Sequence, residues 1–293
     1  MQPSISRKNS PDKPSRGQGI PQLLFMGFLL VQCIGIAAVA WRRGGPVDGT
    51  LFLTLDLPEL LAIYINRGCS ILSVICAALL LRWRKEGLAA FITFWTLTWT
   101  GCAWFQNSSY FEGLTPFAWA IRALAPAGAW WWLSSKELLP SPMSGLAWAF
   151  RVACATTFAT HGVEALRHHP KFVDLILGTD LRLLDGALTQ SKAERMLDVI
   201  GWVDIAVAIL VLARPRNIPV LVWMTFWGII TAMSRATCWG LSGLDMALMR
   251  FMHGGMPLVL LLLVILSYRQ ADRSTAPEDT DADADEDANA EEE

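Results

Sequence analysis

Six side chains with acid–base or anion-binding chemistry sit on hydrophobic stretches of this chain: His161, Glu164, Asp204, Arg235, Arg250 and His253. Two imidazoles and two carboxylates can pass protons, and two guanidinium groups can hold an anion or polarise a carbonyl. His161, Glu164 and His168 are spaced i, i+3, i+7, so they share one helical stripe and form a candidate transition-metal set. His161 and His253, on different segments, are candidates for the two axial positions of a haem. A quinone would need an apolar slot, a donor for each carbonyl and a proton route. His161, Arg250 and His253 are then the donors, Glu164 or Asp204 the relay, and Trp202, Trp227 or Trp239 the walls. A plainer reading makes Asp204–Arg235 and Glu164–Arg250 ion pairs that only fix packing, since polar contacts between membrane helices are often modest in strength. Small-solute transport is a third reading, although neither half has a Gly/Pro-broken helix pair of the kind that marks substrate sites. No phosphate loop, nucleophile elbow or paired-cysteine redox motif occurs.

The elements that carry these residues are set by the apolar pattern. The chain has 293 residues, of which 53% are apolar and 14 are Trp. A hydrocarbon core of about 30 Å asks for roughly 17–25 apolar residues per helix, and eight segments qualify. They fall at about 20–41, 66–82, 88–107, 116–134, 145–166, 197–213, 217–239 and 246–267. Backbone groups inside lipid must be paired within the segment, so these segments read as helices. The expected fold is all-α: a polytopic membrane protein with eight transmembrane helices.

Basic residues orient it. With the N-terminus inside, RWRK at 82–85 and RPR at 214–216 fall in cytoplasmic loops, which places both termini in the cytoplasm of a cell (inner) membrane. The helix at 145–166 then runs outward, and all six polar residues lie about 5–11 Å beneath the outer boundary at 1.5 Å per residue. Intramembrane ionisable groups face a bundle interior or a wet cavity and find partners, so the expectation is one outward-facing polar pocket. The segment 171–189 has an amphipathic pattern that suits a surface helix. Phe172, Ile176, Leu177, Leu181 and Leu184 would lie on the membrane, with Asp174, Asp180 and Arg182 in water, and it is a candidate lid.

Residues 1–19 and 269–293 read as disordered cytoplasmic ends. Ten of the 26 acidic side chains lie in 278–293, which leaves 16 against 24 basic ones in 1–277, a net +8. The basic residues fit membrane orientation, and no nucleic-acid site is expected; the expected partners are the bilayer and, in a redox role, a redox partner subunit. The first apolar run ends in Ala38-Val39-Ala40, so a cleaved signal peptide is an alternative to a first span. The six cysteines, all in or beside apolar segments, read as free thiols.

A shift of 132 residues brings Arg82, Arg84, Thr93, Phe94 and Trp95 onto Arg214, Arg216, Thr225, Phe226 and Trp227 without a gap. Such self-similarity marks an internal repeat. The expected domains are two tandem four-helix units, 20–135 and 145–268. In the second unit an opening helix, an outer amphipathic stretch, Gly201-Trp202-Val203-Asp204-Ile205 and a tight basic turn resemble the DoxX-like four-helix membrane family. Asp204 stands where members usually carry an acid early in the second helix. The resemblance implies a quinone-linked or thiol/sulfur redox membrane component, although many members have no assigned activity, and a shared fold does not establish a shared function.

Overall fold

The computed structural model describes residues 19–106, 109–184 and 186–275. Its regular structure is entirely helical among these residues. In chain order come α1 (Ile20–Arg42), α2 (Pro46–Leu53), α3 (Glu59–Trp83) and α4 (Glu86–Phe105). Two single-turn helices, α5 (Tyr110–Gly113) and α6 (Thr115–Ala118), lead into α7 (Ala120–Ser135). Then follow α8 (Gly145–Leu166), α9 (Pro170–Leu183), α10 (Gln190–Ala213), α11 (Ile218–Trp239), a 3-10 turn, α12 (Leu244–Met249) and α13 (Met252–Thr275).

Local chemistry sets several of these boundaries. Ser144 and Asn217 accept the N–H groups of Ala147 and Val220, each at 3.3 Å, and so satisfy orphan donors at the starts of α8 and α11. Arg84 ends α3 in the left-handed region at φ 46°, which lets α4 begin two residues later.

Three expected boundaries are corrected. The apolar run 116–134 is split at Trp119, and its long helix, α7, has only 16 residues. The run 246–267 is interrupted at Arg250 and Phe251, just before Gly254, Gly255 and Pro257. The stretch from 269, expected to be disordered, is helical as far as Thr275; the acidic residues 278–293 and residues 1–18 lie outside the described residues.

Six elements are long and apolar enough to cross a membrane: α1, α3, α4, α10, α11 with its continuation through α12, and α13. The other two expected spans fall short of that standard, α7 because it has only 16 residues and α8, with 22, because it is not apolar enough. They pack against each other and against α13, and most of their residues are buried by protein. A helix sheltered from lipid need not be apolar all round, so α8 can carry Arg151, His161 and Glu164. Arg151 is fully buried and donates through Nη2 and Nε to the Pro215 carbonyl at 2.7 and 3.2 Å.

One hydrophobic core runs through both halves of the chain. Phe25 of α1 stacks on Phe150 of α8 at 4.9 Å between ring centroids, and Leu29, Trp132, Met252 and Met256 are fully buried around them. Removing α1 as a signal peptide would strip Phe25, Leu29 and Cys33 from this core. At its far end α1 is tied to α12, where Arg42 and Arg43 meet Asp245 at 3.3 and 3.0 Å. All six cysteines are free thiols.

Candidate functional site

Two close helix crossings assemble the polar residues. Gly162 and Gly201 face each other where α8 meets α10, and a Cβ on either would stand 2.8 Å from the other's carbonyl oxygen. Gly228 does the same for α11 and α13: a Cβ there would stand 2.5 Å from the His253 carbonyl oxygen. Small residues let backbones approach this closely, which is a common basis of membrane-helix packing. His161 and Asp204 lie beside the first crossing and His253 at the second.

Between them lies a cavity of about 280 Å³ lined by His161, Asp204, Arg235, Arg250 and His253, with Phe158, Phe172, Leu197, Ile200 and Trp227 among its apolar walls. Glu164 stands just behind, its carboxylate accepting from His161 Nδ1 at 2.8 Å. The expected convergence of six residues from four segments is therefore present in the geometry. The volume lies just below the roughly 300–1,000 Å³ range of small-ligand sites.

The pairing differs from the sequence expectation. Neither Asp204–Arg235 nor Glu164–Arg250 comes within ion-pair distance among the described residues; Glu164 pairs with His161 instead. Arg235 donates to the Thr231 carbonyl and to Ser234 Oγ on its own helix. Asp204 lines the cavity together with Trp227, and its Oδ1 is buried without a partner among the described residues. The i, i+3 spacing of His161 and Glu164 allowed their pairing, but whether a carboxylate instead reaches an arginine of another helix depends on how the helices are rotated about their axes.

The histidines have defined tautomers by the logic of their partners. His161 Nδ1 faces a carboxylate, and His253 Nδ1 faces the Arg250 carbonyl at 2.8 Å; both partners accept. Each Nδ1 therefore carries the hydrogen, and in the neutral ring each Nε2 is a base. His253 Nε2 is buried and unpaired. The expectation that these imidazoles donate to a bound carbonyl is thus reversed: in their neutral form they accept.

The metal set does not assemble. His168, at φ 48°, turns away from the His161 stripe and its Nε2 donates to Asp198 at 2.8 Å. No group of three His, Cys, Asp or Glu suited to a metal exists among the described residues. The haem clamp also fails on geometry. The His161 and His253 rings stack at 5.8 Å with 29° between their planes, whereas axial ligands point at one another across a slot. Of the three expected walls only Trp227 lines the cavity. Trp202 is 66% exposed on the outer side of α10, and Trp239 is 40% exposed.

Arg122, in the first half of the chain, is a buried charge near the site that the sequence analysis did not single out. This residue is 4% exposed, stacks over Trp119 with Cζ 3.9 Å from the ring centroid, and has Nε and Nη2 unpaired. It lies within electrostatic range of Arg250, Arg235 and Glu164, and of His253. The local reason is proline. Pro126 cannot donate to the carbonyl four residues back, which belongs to Arg122, and Gln32 of α1 supplies that donor at 2.9 Å. The Ile121 N–H, left over at the start of α7, is accepted by Thr157 of α8 at 3.1 Å, one turn before His161. A proline four residues after a buried arginine was the available signal.

The helix α9 covers the cavity, contributing Phe172, Leu175, Ile176, Thr179 and Asp180. Asp180, expected in water, is instead buried and accepts the Leu188 N–H at 2.8 Å, while Leu181 and Leu184 are exposed. His169 caps α9 by accepting the Lys171 N–H at 3.3 Å, and its ring stacks on Phe111 at 4.2 Å. Burial holds this imidazole below its ordinary value; Glu164 pulls the other way, and Lys171 and Arg250 add to the lowering.

The fold and cavity together define a multi-pass helical membrane protein with an apolar-walled cavity that carries a cluster of polar residues. No protein-family model, curated protein or solved structure is detectably similar to this chain.

Proposed function

We propose that this protein binds an amphiphile drawn from the bilayer, with the apolar body in the cavity beneath α9 and the polar head among Arg235, Arg250, His253 and Asp204. One observation carries this reading: an apolar-walled cavity is lined by His253 and Asp204, whose Nε2 and Oδ1 are buried without a partner among the described residues. Leaving a buried polar atom unpaired costs about 1–3 kcal/mol, so a ligand that satisfies these atoms recovers that energy on binding. The rival reading, in which the charges serve packing alone, is weakened because the two ion pairs it names do not form among the described residues.

A redox role is the narrower form of this proposal. A quinol head carries two O–H groups, which suit the imidazole Nε2 atoms and Asp204 as acceptors, with Trp227 beside the ring. The DoxX-like resemblance, the eight-span arrangement in two four-helix units and the cytoplasmic placement of both termini remain parts of the proposal. In its favour, Thr93 and Thr225, matched by the 132-residue shift, each donate to the carbonyl four residues back at 2.8 Å. Phe94 and Phe226, also matched, are both exposed at 68% and 58%.

The test is to purify the protein in a neutral detergent, record its absorption spectrum and identify extracted lipids and quinones by mass spectrometry. A co-purifying amphiphile lost in His253→Ala and Asp204→Ala variants that still fold is the expected result. A wild-type protein that neither retains such a molecule nor is stabilised by any added one would refute the reading.

A further inference from the structure

We infer that the head group held in this cavity is anionic: a carboxylate or phosphate monoester on a single apolar chain, recognised by the guanidinium groups of Arg235 and Arg250, with the charge of Arg122 behind them. This rests on the amphiphile reading and adds to it the charge of the ligand. Arg235 and Arg250 line the cavity, and Arg122 stands within electrostatic range of both. Glu164 is the one carboxylate that acts on all three, and it is already bonded to His161. Asp204 and Asp180, the two acids on the wall, are not among the charges that bear on any of them. Three cations thus share one committed anion in a site shielded from water, where an unbalanced charge is costly.

The hydrogen-bond inventory points the same way. The Arg250 side chain makes no hydrogen bond to the described residues, although it faces the cavity. Arg122 keeps Nε and Nη2 unpaired behind it. Guanidinium groups match the paired oxygens of carboxylates and phosphates, and such charge-assisted bonds are about twice as strong as neutral ones. A singly protonated phosphate would also give its one P–OH to His253 Nε2, a contact that a carboxylate cannot make. The shared requirement is the anionic head.

Binding to purified protein in a neutral maltoside detergent tests this, with tritiated palmitate as the probe and hexadecanol, a lysophosphatidate and a short-chain quinone as competitors. Palmitate or the lysophosphatidate should bind at least about tenfold tighter than hexadecanol, the difference expected of one charge-assisted contact. If only the lysophosphatidate shows this preference, the anion is a phosphate; if both do, it is the general acid head. Arg122→Gln, remote from the chain, should lower affinity for the acid by about tenfold and leave hexadecanol unchanged, while Arg122→Lys retains most of the preference. Should Arg122→Gln fail to fold, the wild-type ranking decides alone. Equal binding of acid and alcohol, or tighter binding of the quinone than of both acids, overturns the anionic head but leaves the amphiphile cavity standing. Binding of none of the four overturns both.

Discussion

The Gln32 side-chain amide donates to the backbone carbonyl of Arg122 at 2.9 Å, bridging α1 and α7 at the bond that Pro126 removes. This contact holds in place the turn that carries the third arginine of the site. Replacing Gln32 with Leu keeps the bulk and deletes the donor, leaving a buried carbonyl unsatisfied. The expected cost is about 1–3 kcal/mol. Thermal unfolding in detergent should show a lower Tm for Gln32→Leu; an unchanged Tm would mean that the bond does not hold α7.

The crossing of α8 and α10 depends on Gly162 and Gly201, whose facing backbones leave no room for a methyl group. Gly201→Ala should force the helices apart and destabilise by about 1–3 kcal/mol, the usual range for overpacking. Gly68, also helical, has nothing within 4 Å of its missing Cβ. Gly68→Ala should be neutral, or stabilising by up to about 1 kcal/mol through helix propensity. A comparison of the two variants separates close packing from a general response to the added methyl.

Asp245 is 1% exposed at its side chain and faces Arg42 and Arg43, which are 47% and 38% exposed; it also accepts the Met246 N–H at 2.7 Å. The asymmetry in exposure predicts an asymmetry in effect. Arg42→Gln removes a solvent-screened partner and should cost no more than about 1 kcal/mol. Asp245→Ala leaves a backbone donor without its acceptor and loosens α1 from α12, so it should cost more, about 1–3 kcal/mol. Chemical denaturation of both variants reads this order directly.

His169 gives α9 a pH dependence. Its folded value lies below the ordinary 6.5, chiefly through burial, so the unfolded state binds more protons between those two values. Its stabilising contribution is therefore complete above about pH 6.5 and is lost as pH falls through the lower folded value. Protonation also removes the lone pair that accepts the Lys171 N–H. The charged neighbours are Glu164, Lys171, Arg250 and Glu112. Hydrogen exchange of α9 amides, corrected for intrinsic rates, should lose protection as pH is lowered from 7.5 to 5. A His169→Asn variant, which retains a capping oxygen, should show no such dependence.

Length and apolar runs were enough to locate most of the helices that lipid or the core requires, although two of the runs are interrupted. The segment 145–166 coincides with α8 because Ser144 and the apolar stretch behind it are local signals. The convergence of His161, Asp204, Arg235, Arg250 and His253 was equally legible, since a charge in hydrocarbon has few places to go and helical rise sets its depth. The sequence by itself therefore determined that these residues share a buried site.

Only the tertiary structure decided which of them touch. Whether Glu164 meets His161 or Arg250, and whether Trp202 faces the cavity or lipid, turns on helix rotation, and rotation is set by contacts between segments far apart in the chain. Gly162 against Gly201 sets it for α8 and α10, and Gln32 against the Arg122 carbonyl sets it for α7. The carbonyl of Arg122, left without a donor by Pro126, bonds Gln32 of another helix, a long-range contact that apolar periodicity does not encode.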